Sequence, residues 1–210
     1  MVVASRRERE KLLRRRQIMD AAREVFAARG FGRATMEQIA ERAEYKPATL
    51  YLYFKNKQEL YTSLTMELME RISGRFTAWA GQAGLGPMEK LGQLPDLMCE
   101  IYDYDPTVLV ALFRLQASQG LQHLAAETIA ELNGHARRAM GCMAEVFADA
   151  MDRGLLRRHH PNAMADSAWA IFTGMVLWEE SKRFFDGRKQ YLKPTLKLAV
   201  DLLIAGAARK

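Results

Sequence analysis

Residues 35–60 of the chain read TMEQIAERAEYKPATLYLYFKNKQEL, and the pattern of this stretch decides the fold. Thr35 followed three residues later by Gln38 is the pattern of a capping box, which starts a helix. Pro47 suits the first turn of a second helix, because the N–H that proline lacks would have no helical partner there. The stretch therefore predicts two short helices joined by a turn at residues 44–46. The apolar residues of the first helix recur at helical spacing: Met36, Ile39, Ala40 and Ala43.

The second of these helices divides into an apolar and a polar face. Leu50 and Phe54 are predicted to point inward, whereas Lys46, Thr49, Tyr51 and Tyr53 are left outward or at the edge. Two short helices crossed in this way can place the second in a DNA major groove, which is about 12 Å wide. Hydroxyl groups on the exposed face suit phosphate oxygens and base edges. A helical hairpin without a partner would have little use for two solvent-directed tyrosines, so the pattern favours a helix-turn-helix DNA-binding module.

The rest of the chain is also helical in period. A first helix follows Ile18, Ala22 and Val25 and stops at Gly30, and Asn56 with Glu59 opens a fourth. Longer helices are predicted at about 88–102, 106–119, 121–153, 162–185 and 190–207. Because no segment alternates with period two, we predict an all-α protein with an N-terminal three-helix domain and a C-terminal helical domain.

The same residues resemble the TetR family of bacterial regulators. The resemblance lies in Gly30-Phe31, in residues 35–43 (TMEQIAERA) and in residues 48–60 (ATLYLYFKNKQEL). It implies a helix-turn-helix domain at 14–74 and a ligand-binding and dimerisation domain at 75–210. It also implies phosphate contacts and base-reading positions on the first domain. The phosphate-contacting residues would be Thr35, Tyr53 and Lys57, and the residues reaching into the groove Lys46, Pro47, Ala48, Thr49 and Tyr51.

The turn between the two helices departs from the family pattern. The family often has Gly-Val-Ser where this chain has Glu44, Tyr45 and Lys46. Losing the glycine removes an easy left-handed end to the second helix, and losing the serine removes a side-chain cap. The turn is therefore the part of the module that the sequence defines least.

Positive charge is concentrated at the N-terminus. Residues 1–60 hold 14 Lys and Arg against 8 Asp and Glu, whereas the other residues hold 17 of each. An excess on one segment is the electrostatic footprint expected for a polyanion such as DNA. The basic arm could lie along the DNA backbone or enter the minor groove, or it could be a frayed helical extension. Its cations are Arg6, Arg7, Arg9, Lys11, Arg14, Arg15 and Arg16.

The C-terminal domain suggests a dimer interface and a ligand site. The last two helices are apolar over wide arcs, which predicts either a homodimer contact or central core helices. The interface residues would be Phe172, Met175, Trp178, Leu196 and Leu203. A second group of aromatic and Met residues predicts either a pocket for a small hydrophobic or aromatic effector or plain core. These residues are Trp79, Met98, Tyr102, Phe113, Met143, Phe147 and Trp169.

Several classes of protein are disfavoured. No nucleophile–base pair or phosphate loop is visible, so we expect no enzyme, and no metal or cofactor is predicted. Cys99 and Cys142 lie in apolar helical surroundings, the apolar stretch 163–178 is shorter than a membrane span, and no signal sequence is present. We therefore expect a cytoplasmic homodimer that binds double-stranded operator DNA and no membrane. It would be a repressor released by an apolar ligand, or else an activator or a regulator without an inducer.

Overall fold

The computed structural model describes residues 6–117, 125–183 and 191–208, and all regular structure in these ranges is helical. Outside the helices, an isolated antiparallel bridge joins Leu156 to Ala208. The prediction of an all-α protein is therefore confirmed. The helices are α1 (Arg6–Arg33), α2 (Met36–Arg42), α3 (Pro47–Tyr51), α4 (Lys57–Ala80), α5 (Pro87–Tyr104), α6 (Pro106–Ala117), α7 (Ala126–Asp152), α8 (Pro161–Arg183) and α9 (Leu192–Ala207).

The chain forms two compact units, an N-terminal unit of Met1–Glu67 and a C-terminal unit of Leu68–Lys210. In the N-terminal unit, α1 packs on α2 and α2 on α3. The apolar stripe of α1 is buried against them, with Ile18 and Phe26 almost fully covered. Apolar burial is the dominant favourable contribution to folding, at about 25 cal/mol per Å², so this stripe is the main source of stability for the packing of α1 on its neighbours.

Two helix ends in this unit differ in how well the sequence defines them. Gly30 has a φ of 73° and leaves helical geometry, as the predicted stop requires, although helical turns resume as far as Arg33. The helix α3 ends at Tyr51, before the inward position Phe54 that helical spacing predicts. There the chain tightens, since the N–H groups of Tyr53 and Phe54 both donate to the carbonyl of Leu50 at 2.9 Å.

The C-terminal unit is built from the longer helices. Contacts join α5 to α7 and α9, and α8 to α6, α7 and α9. Asp105 lies in the gap between the helices predicted at 88–102 and 106–119. It is an N-cap, because its carboxylate accepts a hydrogen bond from the N–H of Val108 at 3.0 Å. The gaps predicted at residue 120 and at residues 186–189 lie outside the described residues. No helix of the described ranges is both long and apolar enough to cross a membrane.

Candidate nucleic-acid interface

The turn after α2 has the geometry that usually selects glycine. Glu44 has a φ of 59°, and it is the one non-glycine residue with positive φ in the described part of the chain. The N–H of Tyr45 donates to the carbonyl of Ala40 at 2.9 Å, and the N–H of Glu44 donates to that of Glu41 at 3.1 Å. These two bonds form a Schellman motif with Glu44 at its left-handed position. The turn thus keeps a glycine conformation without the glycine.

The start of α2 is fixed by the predicted capping box. The Thr35 hydroxyl accepts a hydrogen bond from the N–H of Gln38, and the Gln38 side chain accepts one from the N–H of Thr35. Both ends of α2 are therefore held by local hydrogen bonds, and Thr35 itself is exposed. This prediction from the sequence is confirmed.

The helix α3 presents the two faces that the sequence predicts. Leu50 and Phe54 are 0% and 1% exposed, so they anchor the helix in the N-terminal unit. Tyr51 is 49% exposed, and Thr49 and Tyr53 are half-buried. The remaining predicted groove positions, Lys46, Pro47 and Ala48, are exposed and form the start of the helix.

One residue of this surface was not predicted from the sequence. Leu52, directly after α3, is 79% exposed, the largest exposed fraction among the large apolar residues described. A leucine this exposed beside polar neighbours suits an apolar contact, such as a thymine methyl group or a deoxyribose. The sequence does contain a signal for its exposure: Leu50 and Phe54 take the inward positions of the helical period, and Leu52, between Tyr51 and Tyr53, falls outside them.

Lys57 has partners within the protein. Its ammonium group donates to the carbonyls of Phe31 and Ala34, each at 2.7 Å, and lies 4.6 Å from the centre of the Phe31 ring. The side chain thereby ties the start of α4 to the connection between α1 and α2. A phosphate contact of Lys57, which the resemblance implies, remains a prediction, and the ammonium would have to share its protons with these carbonyls.

Long side chains of α1 brace the same module. The guanidinium of Arg15 lies 4.7 Å from the centre of the Phe54 ring and donates to the Ser63 hydroxyl at 2.8 Å. The Tyr45 hydroxyl donates to the Gln17 side chain at 2.6 Å, which fastens the turn after α2 to α1. Arg15, one of the cations of the basic arm, is thus a packing residue.

In the C-terminal unit, three predicted ligand residues share one aromatic cluster. Trp169 contacts Phe76, Phe113 and Phe172 at centroid distances of 6.1, 6.0 and 5.4 Å, and Trp79 joins through Phe76 at 5.9 Å. The other four predicted ligand residues are buried: Met98, Tyr102, Met143 and Phe147. The Tyr102 hydroxyl donates to the carboxylate of Glu180 at 3.1 Å. A cavity of about 220 Å³ lies beside Trp79, with a rim that includes Arg75 and Glu100.

The residues predicted for the dimer interface separate into two groups. Phe172 and Leu196 are 0% exposed, so they are core residues of the protomer, and their assignment to an interface is corrected. Met175 and Leu203 are half-buried, and Trp178 is 63% exposed. Further apolar surface on α9 comes from Leu198 and Leu202, at 59% and 64% exposure.

The two cysteines differ in burial. Cys99 is buried, and burial raises the pKa of its thiol to about 11, helped by the negative charge of Asp103. Cys142 is half-buried, and its sulfur lies 3.8 Å from the Thr77 hydroxyl. Within the described ranges no group of His, Cys, Asp and Glu has the geometry to hold a metal ion.

The N-terminal unit is similar in sequence to known bacterial regulators. Residues 18–64 match the family model of bacterial regulatory proteins, tetR family. A fatty acid metabolism regulator protein of Bacillus subtilis is 45% identical over 53 residues, which are 25% of this chain and 27% of that protein. The matched segment thus spans little more than a quarter of this relative's length.

Similarity to solved structures covers most of the chain. The TetR family transcriptional regulator PfmR of Thermus thermophilus has a TM-score of 0.74 at 16% identity, covering 91% of this chain and 99% of PfmR. The transcriptional regulator FadR of Bacillus subtilis, in complex with stearoyl-CoA, has a TM-score of 0.69 at 20% identity, covering 90% and 97% of the chains. At these identities the similarity concerns the fold.

Proposed function

The chain belongs to the TetR family of bacterial regulatory proteins, and we propose that it is a sequence-specific DNA-binding regulator acting as a homodimer. In this proposal it represses transcription by occupying an operator, and it leaves the operator when a largely apolar ligand binds. The observation that carries the proposal is the division of α3, which sets Thr49 and Tyr51 outward on a helix anchored by fully buried Leu50 and Phe54. We assign it no enzymatic activity.

The proposed DNA contacts follow from this surface. The exposed side of α3 enters the major groove, where Lys46, Thr49 and Tyr51 meet base edges. Thr35 and Tyr53 contact phosphate groups through their hydroxyls, which fixes register without reading sequence. The excess charge of the first sixty residues supports this assignment, because phosphate neutralisation provides most nonspecific affinity.

We propose that the homodimer forms through α8 and α9. Trp178, Leu198 and Leu202 are large apolar side chains that are each more than half exposed on two helices that pack together. Large exposed apolar side chains favour association, and a two-fold axis would pair these helices with their copies in a four-helix contact. A dimer also lets two copies of α3 read half-sites that are about 34–36 Å, or a multiple of that distance, apart.

The ligand is proposed to occupy the interior of the C-terminal unit. The half-buried Trp169 and its buried neighbours Phe76, Phe113 and Phe172 supply apolar surface, and FadR of Bacillus subtilis holds stearoyl-CoA on the same fold. An apolar effector is therefore the class that this interior supports best. The coupling must be reciprocal, so a ligand that weakens DNA binding binds less tightly to the DNA complex by the same factor.

Selection of bound sequences from a random duplex library tests the DNA-binding proposal. The protein should retain duplexes with two symmetry-related half-sites, and Thr49→Ala should retain a different sequence set. Thr128→Ala on α7 is the matched control and should reproduce the wild-type set. Failure of the wild-type protein to enrich any sequence would refute the proposal.

A thermal-shift screen of lipophilic compounds tests the ligand. A compound that raises Tm should also release the selected duplex in a binding assay. If stabilising compounds leave DNA affinity unchanged, the inducible-repressor part of the proposal is wrong, and a regulator without an inducer is favoured.

A further inference from the structure

The N-terminal part of α1 carries cations on one side of the helix. Later in α1, the same side is buried in the core of the N-terminal unit. Arg7, Lys11 and Arg14 are spaced i, i+4 and i+7, so they lie on one side of the helix. The same side continues through Ile18 and Val25, which are buried. The stripe thus changes from cationic to apolar where the core begins, and all three cations are exposed.

A groove lies between this cationic stripe and the end of α3. Its volume is about 660 Å³, and its second wall is formed by the exposed Leu52 and the half-buried Tyr53. The groove therefore borders directly on the surface proposed to meet DNA. Its complete lining is Arg7, Glu8, Glu10, Lys11, Arg14, Leu52 and Tyr53.

The charge of the lining favours an elongated anion. The lining holds three cations, Arg7, Lys11 and Arg14, against two carboxylates, and one of these, Glu10, already pairs with Arg6 at 3.2 Å. From Arg7 to Arg14 the helix rises about 10 Å at 1.5 Å per residue. Cations spread over this length match consecutive phosphates of one strand better than a single small anion.

We propose that this groove holds the sugar–phosphate backbone of one DNA strand beside the base pairs that α3 reads. The proposal rests on the proposed DNA-binding function and assigns the basic arm a defined contact. Lys11 and Arg14 bind successive phosphates, while Leu52 packs on the sugar between them. Tyr53 belongs both to the groove and to the proposed phosphate-contacting set, so the two surfaces are continuous.

The expected effect follows from counterion release. Each phosphate contact contributes about 0.9 to the slope of log affinity against log salt concentration, which corresponds to about fivefold in affinity near 0.15 M salt. Loss of Lys11 and Arg14 should therefore lower the slope by about 1.8 for each half-site. Affinity should fall by about 25-fold for each half-site.

The test compares two double variants of equal charge change in the full chain. Lys11→Gln with Arg14→Gln removes cations from the groove, whereas Arg9→Gln with Arg16→Gln removes two from the opposite face of α1. Salt titrations of binding to the selected duplex are combined with hydroxyl-radical footprinting of its sugars. Circular dichroism checks that helix content is preserved in both variants.

The proposal expects the groove variant to show the larger loss of slope and to lose protection of the outermost sugars, with central protection retained. Equal losses in both variants would overturn it, because the arm would then act as diffuse charge. No loss in either variant, with wild-type binding intact, would also overturn it and leave the proposed function standing. Absence of specific binding by the wild-type protein would instead refute the proposed function.

Discussion

Replacement of Glu44 by glycine should stabilise the protein. Glu44 occupies the left-handed position of the Schellman motif after α2, with a φ of 59°. A side chain in this conformation brings its Cβ close to the following carbonyl oxygen, whereas glycine adopts the same geometry without that contact. The exposed Glu44 side chain makes no burial contribution that the substitution would lose.

The size of the effect is a difference between two opposing contributions. Relief of the left-handed conformation contributes about 1–2 kcal/mol to the free energy of unfolding. The greater freedom of glycine in the unfolded chain costs about 0.5–1 kcal/mol. The net gain should be about 0.5–1 kcal/mol. For a cooperatively unfolding chain of this length, that gain raises Tm by about 1–4 °C.

The assay is urea and thermal unfolding of Glu44→Gly beside Glu44→Ala and the wild-type protein. The alanine variant removes the same carboxylate but keeps a Cβ at the left-handed position, so it should gain no stability. Both variants remove a negative charge near the proposed phosphate contacts and should bind DNA slightly more tightly. Stability should therefore separate the two variants, whereas DNA affinity should not.

A glycine variant that is no more stable than the alanine variant would contradict the strain assigned to Glu44. Equal Tm values would mean that the left-handed conformation of Glu44 carries no measurable strain. A gain shared by both variants would assign the effect to the carboxylate and its charge. Only a gain confined to glycine supports the conformational explanation.

Four further outcomes are expected. Lys57→Ala should lower the free energy of unfolding by about 1–3 kcal/mol in urea titrations, because two backbone carbonyls lose a charged donor. Unchanged stability would show that these hydrogen bonds contribute nothing. Trp178→Asp should yield monomers in sedimentation at concentrations where the wild-type protein is dimeric, and a persistent dimer would exclude α8 from the interface. In a Cys142→Ala background, Cys99 should react with a thiol reagent at pH 8 only after urea is added, since its pKa of about 11 keeps the thiol protonated in the folded protein. Rapid labelling of the folded protein would contradict this. Because the folded state retains the Cys99 proton between pH 9.0 and about 11 while the unfolded chain releases it, stability should fall as pH rises through that window, and a Cys99→Ala variant should lose less.

The sequence predicted the helical class and the helix-turn-helix because these depend on short-range patterns. The capping box of Thr35 and Gln38 joins groups three residues apart, and the inward positions Leu50 and Phe54 follow from helical spacing. Interactions of this range leave a direct trace in the order of residues. The end of α3 at Tyr51 was less predictable, because the apolar spacing continues to Phe54. The helix ends earlier in a tightened turn, where the carbonyl of Leu50 accepts hydrogen bonds from the N–H groups of both Tyr53 and Phe54.

Only the tertiary structure decided which sides of the apolar helices face solvent. On α8, Phe172 and Trp178 both fit an apolar arc, yet Phe172 is fully buried and Trp178 is mostly exposed. On α9, Leu196 is buried whereas Leu198 and Leu202 are exposed. A helix that is apolar over a wide arc has too little periodicity to define one buried side, so its neighbours determine that side.

The stretch from Thr35 to Leu60 thus determined by itself the helix-turn-helix and the outward face of α3. It did not determine that Lys57 donates to carbonyls 23 and 26 residues earlier, or that Arg15 braces Phe54 and Ser63. It also did not reveal the groove between Arg14 and Leu52. Each of these features joins residues far apart in the chain, and only the packing of α1, α3 and α4 brings them within contact distance.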